Sequence, residues 1–171
     1  LAGDIYDRDW QDFHTGLFFR GQMVRLERAG IRCFIVQGNH DAQGVISRQL
    51  TLPSNVTVFS SRAAQTIRLD DLSVAIHGRS FPEREVNEDL VPSYPSPVPG
   101  CFNIGLLHTS LTGRVGHDTY APTDLPTLVA KGYDYWALGH VHAREVLNER
   151  PRIVFCGNLQ GRHAKETGAK G

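Results

Sequence analysis

A chain of 171 residues, 40% apolar by type and carrying eighteen basic against eighteen acidic side chains, has the dimensions of one globular domain with a sizeable core. A formal net charge of zero, with no long like-charge run, excludes a global electrostatic pull towards nucleic acid or an anionic membrane, so any DNA would have to be held by local patches. No apolar stretch approaches the roughly 18 residues needed to span a bilayer, and no charged-then-apolar leader opens the sequence; a soluble protein without a membrane partner is expected.

In chain order, Leu1-Ala2-Gly3 reads as the end of a buried strand running into a loop, with Asp4 at the turn. Residues 9–29 carry Trp10, Phe13, Leu17, Val24 and Leu26 at mostly helical intervals and end at Gly30, which predicts one amphipathic helix. Residues 31–36 form a short β-rich run too apolar for a half-exposed strand, hence a central strand of a covered sheet, followed at once by Gly38-Asn39-His40-Asp41. Residues 56–59, 65–69 and 73–76 read as short strands, with a hairpin turn at Asp70-Asp71 and an antiparallel sheet edge. The proline-rich segment 81–100 is expected as a surface excursion with one helical turn over 84–90. Residues 102–107 form a strand closed by His108, residues 123–130 a short helix, and residues 135–138 a strand ending in Gly139-His140-Val141-His142. A last strand over 153–155 leads to Cys156-Gly157-Asn158.

Cys33, Cys101 and Cys156 are odd in number, far apart and in no C-x-x-C spacing, so neither a disulfide framework nor a zinc knuckle is indicated. A reducing, cytoplasmic location is expected, with Cys33 and Cys156 packing as small buried apolar groups. The sequence ends without a closing element, and a single domain over 1–171, truncated at both ends, is the expected organisation.

The chemistry-bearing residues gather in four clusters, Gly3-Asp4, Gly38-Asn39-His40-Asp41, His108 and Gly139-His140-Val141-His142, each at the end of a predicted strand. Strand ends of a parallel or mixed sheet lie side by side, which brings residues remote in sequence within reach of one ion. One carboxylate, one amide oxygen and several imidazoles, without thiolate, suit manganese, iron or zinc in a reactive site. In an extended segment His140 and His142 would project to one face and reach one or two adjacent metals. The isolated His14, His77, His117 and His163 read as surface or internally satisfied histidines. No Gly-x-Ser-x-Gly elbow and no phosphate-cradling Gly-x-x-x-x-Gly-Lys loop is present.

Those four clusters, in that order, resemble the motif series of the calcineurin-like metallophosphoesterases. The resemblance implies an α/β fold, a sandwich of two mixed β-sheets flanked by helices, whose N-terminal βα unit with an Asp-x-His motif is missing from this sequence. It implies a hydrolase of phosphate esters using water activated by two divalent metal ions, most naturally manganese, with iron or zinc as alternatives. Asp4 would bridge both metals, with Asn39, His108 and His140 completing one site and His142 belonging to the other. Lacking Asp-x-His, the second metal would be held only by Asp4 and His142, and weakly. His40 would be catalytic, stabilising phosphate charge or protonating the leaving oxygen, with Asp41 orienting its ring; Asp7 would be a supporting hydrogen-bonding residue. The runs Gly3-Asp4-Ile5-Tyr6-Asp7-Arg8, Ser80-Phe81-Pro82-Glu83-Arg84-Glu85 and Gly157-Asn158-Leu159-Gln160-Gly161-Arg162-His163 look like the SbcD-like DNA repair exonuclease branch. That branch implies DNA as substrate, a possible SMC-like ATPase partner and a possible homodimer. Arg79, Arg84, Arg162 and the tail lysines are candidates for phosphate contact. A small-molecule phosphodiesterase or phosphatase, or a non-catalytic scaffold for protein partners, are the alternatives.

Overall fold

The computed structural model describes residues 1–6, 13–42, 44, 49–112 and 120–170. In chain order the elements are α1 (Phe13–Arg28), β1 (Cys33–Ile35), β2 (Val56–Val58), β3 (Gln65–Leu69), β4 (Val74–Gly78), β5 (Phe102–His108), α2 (Leu125–Ala130), β6 (Tyr135–Gly139), β7 (Glu145–Glu149) and β8 (Arg152–Phe155). β1 and β2 pair in parallel, and the remaining strands form a six-stranded sheet in the order β3-β4-β5-β6-β8-β7. Within that sheet β4, β5, β6 and β8 run parallel, and β3 and β7 close the edges antiparallel. The expected mixed α/β architecture is therefore present. Leu1 flanks β1 on the side away from β2: its amino group donates to Phe34 O (2.7 Å), and Val36 N donates to Leu1 O (3.2 Å). The apolar run around β1 is thus hydrogen-bonded on both sides, as a covered strand requires.

Strand alternation divides the apolar residues between two clusters. Leu106 of β5 and Ile76 of β4 face Val36 and Phe59 beside the small sheet, so the two sheets pack against each other. Leu107, Trp136, Leu138, Ile153 and Phe155 face the other way, into the larger cluster. Leu128 of α2 covers that side; Asp124 caps the helix by accepting from Thr127 N (2.8 Å).

Five expectations change. Helix α1 ends before Gly30 as its spacing predicts, yet it buries Gly16 and Met23 while Phe13, Leu17 and Phe18 stay exposed. Segment 81–100 is no surface excursion: Phe81, Val86, Leu90, Val91 and Tyr94 are buried in the larger cluster, and Tyr94 Oη donates to Leu106 O (2.6 Å). Its helical turn is a 3-10 turn at Val91–Ser93, where Pro92 suits the first turn and Asp89 accepts from Val91 N. Strand β7, absent from the sequence-based expectations, pairs antiparallel with β8 with a register shift between Val146 and Asn148, and packs Leu147 against the larger cluster. Cys33 is half-buried and Cys156 exposed, because alternation in β8 sends Ile153 and Phe155 into the core and Cys156 to the other face; all three cysteines are free. Trp10, Asp7, Arg8 and His117 lie outside the described residues. Among the described residues no helix is long and apolar enough to cross a membrane.

The parallel strands fix where chemistry can happen. The carboxyl ends of β1, β4, β5 and β6 all open on one edge, and cross-links tie them together: Phe81 N donates to Gln37 O (2.9 Å), and Gln37 N to Ser80 Oγ (2.9 Å). Such an edge is where open α/β sheets place their ligands.

Candidate metal centre

At this edge Asp4, His108 and His140 each offer a ligand atom, all within 4.8 Å of one another. His108 leaves β5 fully buried, with Phe81 edge-on at 5.3 Å and His140 at 5.2 Å between ring centroids. Its Nδ1 lies 2.9 Å from the Ala2 carbonyl, an atom that can only accept, so Nδ1 carries a hydrogen. Nε2 then faces Asn39 Oδ1 at 2.9 Å and Asp4 Oδ2 at 3.3 Å. Three acceptor atoms turned towards one point repel unless a cation joins them, and either a proton on Nε2 or a metal ion meets that need.

The ionisation of the pair follows. Burial by itself pushes the Asp4 carboxyl up, but the His108 hydrogen bond and charge, with the His40 N–H (3.0 Å), outweigh it and hold the group at about 2. Burial pushes His108 down, and the Asp4 bond and charge reverse this, so its net shift is upward. A metal ion replaces the Nε2 proton, and its affinity therefore rises with pH.

The backbone is forced into place around these atoms. Gly3 (φ 91°), Asp4 (φ 53°) and His140 (φ 92°) all occupy the left-handed region, two of them with side chains that make this costly, by about 1–3 kcal/mol each. His140 and His142 thus share a cavity not through the extended alternation expected for Gly-His-x-His, since His140 has left the strand. A Cβ at Gly38 would fall 2.5 Å from Asp4 Oδ1 and 2.6 Å from His108 Cε1, and one at Gly139 would collide with the Ala2 carbonyl. No side chain at Gly38 or Gly139 could be accommodated beside the cluster. Oxygen and imidazole donors, a fixed tautomer and a tight glycine floor together suit a divalent metal.

Asp41 does something other than line the cavity. Its Oδ1 accepts from Ile5 N (2.9 Å) and Tyr6 N (3.1 Å), and its Oδ2 from Gly38 N (3.1 Å), stitching the loop after Asp4 to the loop after β1. Burial pushes its carboxyl up. Burial, reinforced by the Asp41 charge, likewise moves the Tyr6 hydroxyl up to about 12.

An open cavity of about 460 Å³ is lined by Asp4, His40, His140 and His142 together with Gln160 and Arg162. The structure thus gathers Asp4, Asn39, His108 and His140 at one point and puts His40 and His142 on the wall of the same space. His142 Nδ1 bonds Glu166 Oε1 (2.7 Å), a residue missed from the sequence because a lone acid in a basic tail carries no motif. Arg162 N–H, His142 and Asn158 hold the Glu166 carboxyl at about 2. Of the basic residues proposed to meet phosphate, Arg162 lines the cavity, whereas Arg79 is occupied by Ser61 O, Ser93 Oγ and Glu88. His77 is the satisfied core histidine expected of it, between Thr66 and Asn103.

A sequence profile of the family described as "Calcineurin-like phosphoesterase" matches residues 1–144. A curated protein described as "Uncharacterized metallophosphoesterase YhaO", from Bacillus subtilis (strain 168), is 39% identical over 175 residues, covering all of this chain and 43% of that protein. The chain thus spans less than half the length of this relative.

Proposed function

This chain belongs to the calcineurin-like phosphoesterase family; on that premise we propose that it is a metal-dependent phosphoesterase that hydrolyses phosphodiesters of DNA with manganese, as an SbcD-like exonuclease. The observation that carries the chemistry is the convergence of Asp4, Asn39 and His108 on one point beside His140. Asp4, Asn39, His108 and His140 would hold one ion, and His142 with Asp4 a second. When bound, two such ions supply Lewis acidity and a water acidic enough to ionise near neutral pH. His40, on the cavity wall and anchored through its backbone N–H to Asp4, would face a phosphoryl oxygen or give a proton to the leaving oxygen. Arg162, which lines the same cavity, would supply a cation for a neighbouring phosphate.

What favours DNA is the open shape of the cavity, with Lys165 and Lys170 following Arg162 in the same tail, and the likeness of the 157–163 run to the exonuclease branch. The same likeness carries the proposal of an SMC-like ATPase partner, and the three free cysteines that of a cytoplasmic setting. The test is manganese-dependent hydrolysis by the protein at its natural length, offered linear single- and double-stranded DNA beside a panel of small phosphodiesters, with His40→Ala as control. Progressive DNA digestion lost in His40→Ala supports the nuclease. Cleavage of small esters alone leaves the phosphoesterase and removes the nuclease.

A further inference from the structure

We infer that Glu166 is a positioning residue that sets the reactive face of His142 and, with its other oxygen, ties down the 158–162 part of the same cavity's lining; this rests on the reading of His142 as a metal ligand. A carboxylate only accepts, so the 2.7 Å contact between Glu166 Oε1 and His142 Nδ1 puts the hydrogen on Nδ1 and leaves the lone pair on Nε2. That is the tautomer a metal requires, and a carboxylate behind a ligating imidazole also raises its basicity. Oε2 is engaged separately, accepting from Arg162 N (2.8 Å) and Asn158 Nδ2 (2.7 Å).

The tail is bound back to the same histidine at one further point, where Asn158 N donates to His142 O (3.0 Å), and within the tail Glu166 N donates to His163 O (3.0 Å), closing the turn that follows Arg162. Glycines permit the approach: a Cβ at Gly157 would sit 3.0 Å from His142 O, and one at Gly161 2.9 Å from Glu166 O. One carboxylate therefore connects the second metal's histidine to the segment bearing Gln160 and Arg162. Metal held by His142 and order in residues 158–166 should rise and fall together, since both depend on Glu166.

The experiment is calorimetric titration of manganese into the protein at its natural length, alongside limited trypsin digestion after Arg162 and Lys165. Glu166→Ala should weaken the looser ion by about 10- to 100-fold, leave the tighter ion within about twofold, and speed cleavage of the tail. In a His142→Ala background, Glu166→Ala should leave metal affinity unchanged, because Glu166 acts through His142. Glu166→Gln keeps an acceptor for Nδ1 but turns an NH2 group against the Arg162 and Asn158 donors. It should recover most of the affinity while cleavage stays fast, a split that a merely structural role would not produce. Unchanged affinity in Glu166→Ala, or equal loss of both ions with a lowered melting temperature, overturns the inference alone; a wild-type protein that binds no manganese overturns it together with the metal reading.

Discussion

His140 and His142 stand one residue apart in the chain and in different kinds of surroundings. The point His140 shares with His108 and Asp4 is walled by the backbones of Gly38 and Gly139, by the fully buried His108 ring and by the Ala2 carbonyl. His142 is 39% exposed in its side chain and reaches Glu166 in the C-terminal tail. The first half of the site is built by the fold itself, from strand ends that cannot move without breaking the core; the second half is assembled by one carboxylate. A metal should find the first half ready and the second conditional.

The sharpest way to break this contrast is to empty the built half. Asp4→Ala removes the carboxylate proposed to be shared by both ions and should lower phosphoesterase activity about a thousandfold or more, the rate equivalent of the several kcal/mol a metal supplies. Elemental analysis of the purified variant should find neither ion. His142→Ala, by contrast, should retain one. If Asp4→Ala keeps a full complement of metal, the converging acceptors are not the site.

A subtler probe leaves every ligand in place. Gly38→Ala puts a methyl 2.5 Å from Asp4 Oδ1 and 2.6 Å from His108 Cε1, so the cradle must open. The tighter ion should lose on the order of 10- to 100-fold in affinity, the scale set by disturbed ligand supports, with circular dichroism unchanged. Equal loss at both ions would mean the halves are less independent than their surroundings imply.

Sequence and structure agree best where the fold does the building. Gly-Asn-His-Asp and Gly-His-x-His were legible because strand ends demand glycine and because metals demand those donors, and β4 to β6 were legible from short runs rich in apolar residues. The sites of disagreement have a common origin in polar or mixed segments placed by tertiary contact. Val86, Leu90 and Tyr94, scattered between prolines, carry no periodicity, yet they cover the larger cluster. Glu166 works only because the tail returns to His142, a long-range closure that no local pattern encodes. Phe13 and Leu17, by contrast, keep a helical spacing without being buried by any described residue.

A third probe sits in the sheet beneath the built half. Gly105 of β5 lies directly beside Trp136 of β6, and a Cβ there would lie 2.8 Å from indole Cδ2 and closer still to the six-membered ring. Gly105→Ala should therefore cost about 1–3 kcal/mol by overpacking, read as a lower denaturation midpoint, while activity per folded molecule stays near wild type. Loss of activity at full stability would make the sheet a more delicate support for His108 than its burial implies.

The smallest effect concerns a histidine that resembles His108 in burial and differs in every partner. His77 on β4 is fully buried; its Nε2 donates to Asn103 Oδ1 (3.0 Å), an oxygen that also accepts from Val98 N, and its Nδ1 accepts from Thr66 Oγ1 (2.8 Å). Tyr133 stacks on the ring at 4.2 Å, and no carboxylate offsets the burial, while the Lys131 charge adds to it. Burial first, and Lys131 with it, outweigh the Asn103 bond and lower the pKa of His77, opposite to the rise of His108 beside Asp4. The unfolded chain takes up this proton near pH 6.5 and the folded chain only below that. Stability from His77 is thus complete above about 6.5 and is lost as pH falls towards the lower folded value. With chelator present, wild type should lose more of its melting temperature between pH 8 and pH 5 than His77→Phe, which keeps a ring against Tyr133 and has nothing to protonate. Parallel slopes for the two proteins would mean that the acid sensitivity lies elsewhere, and that a buried histidine here needs no carboxylate to carry its charge.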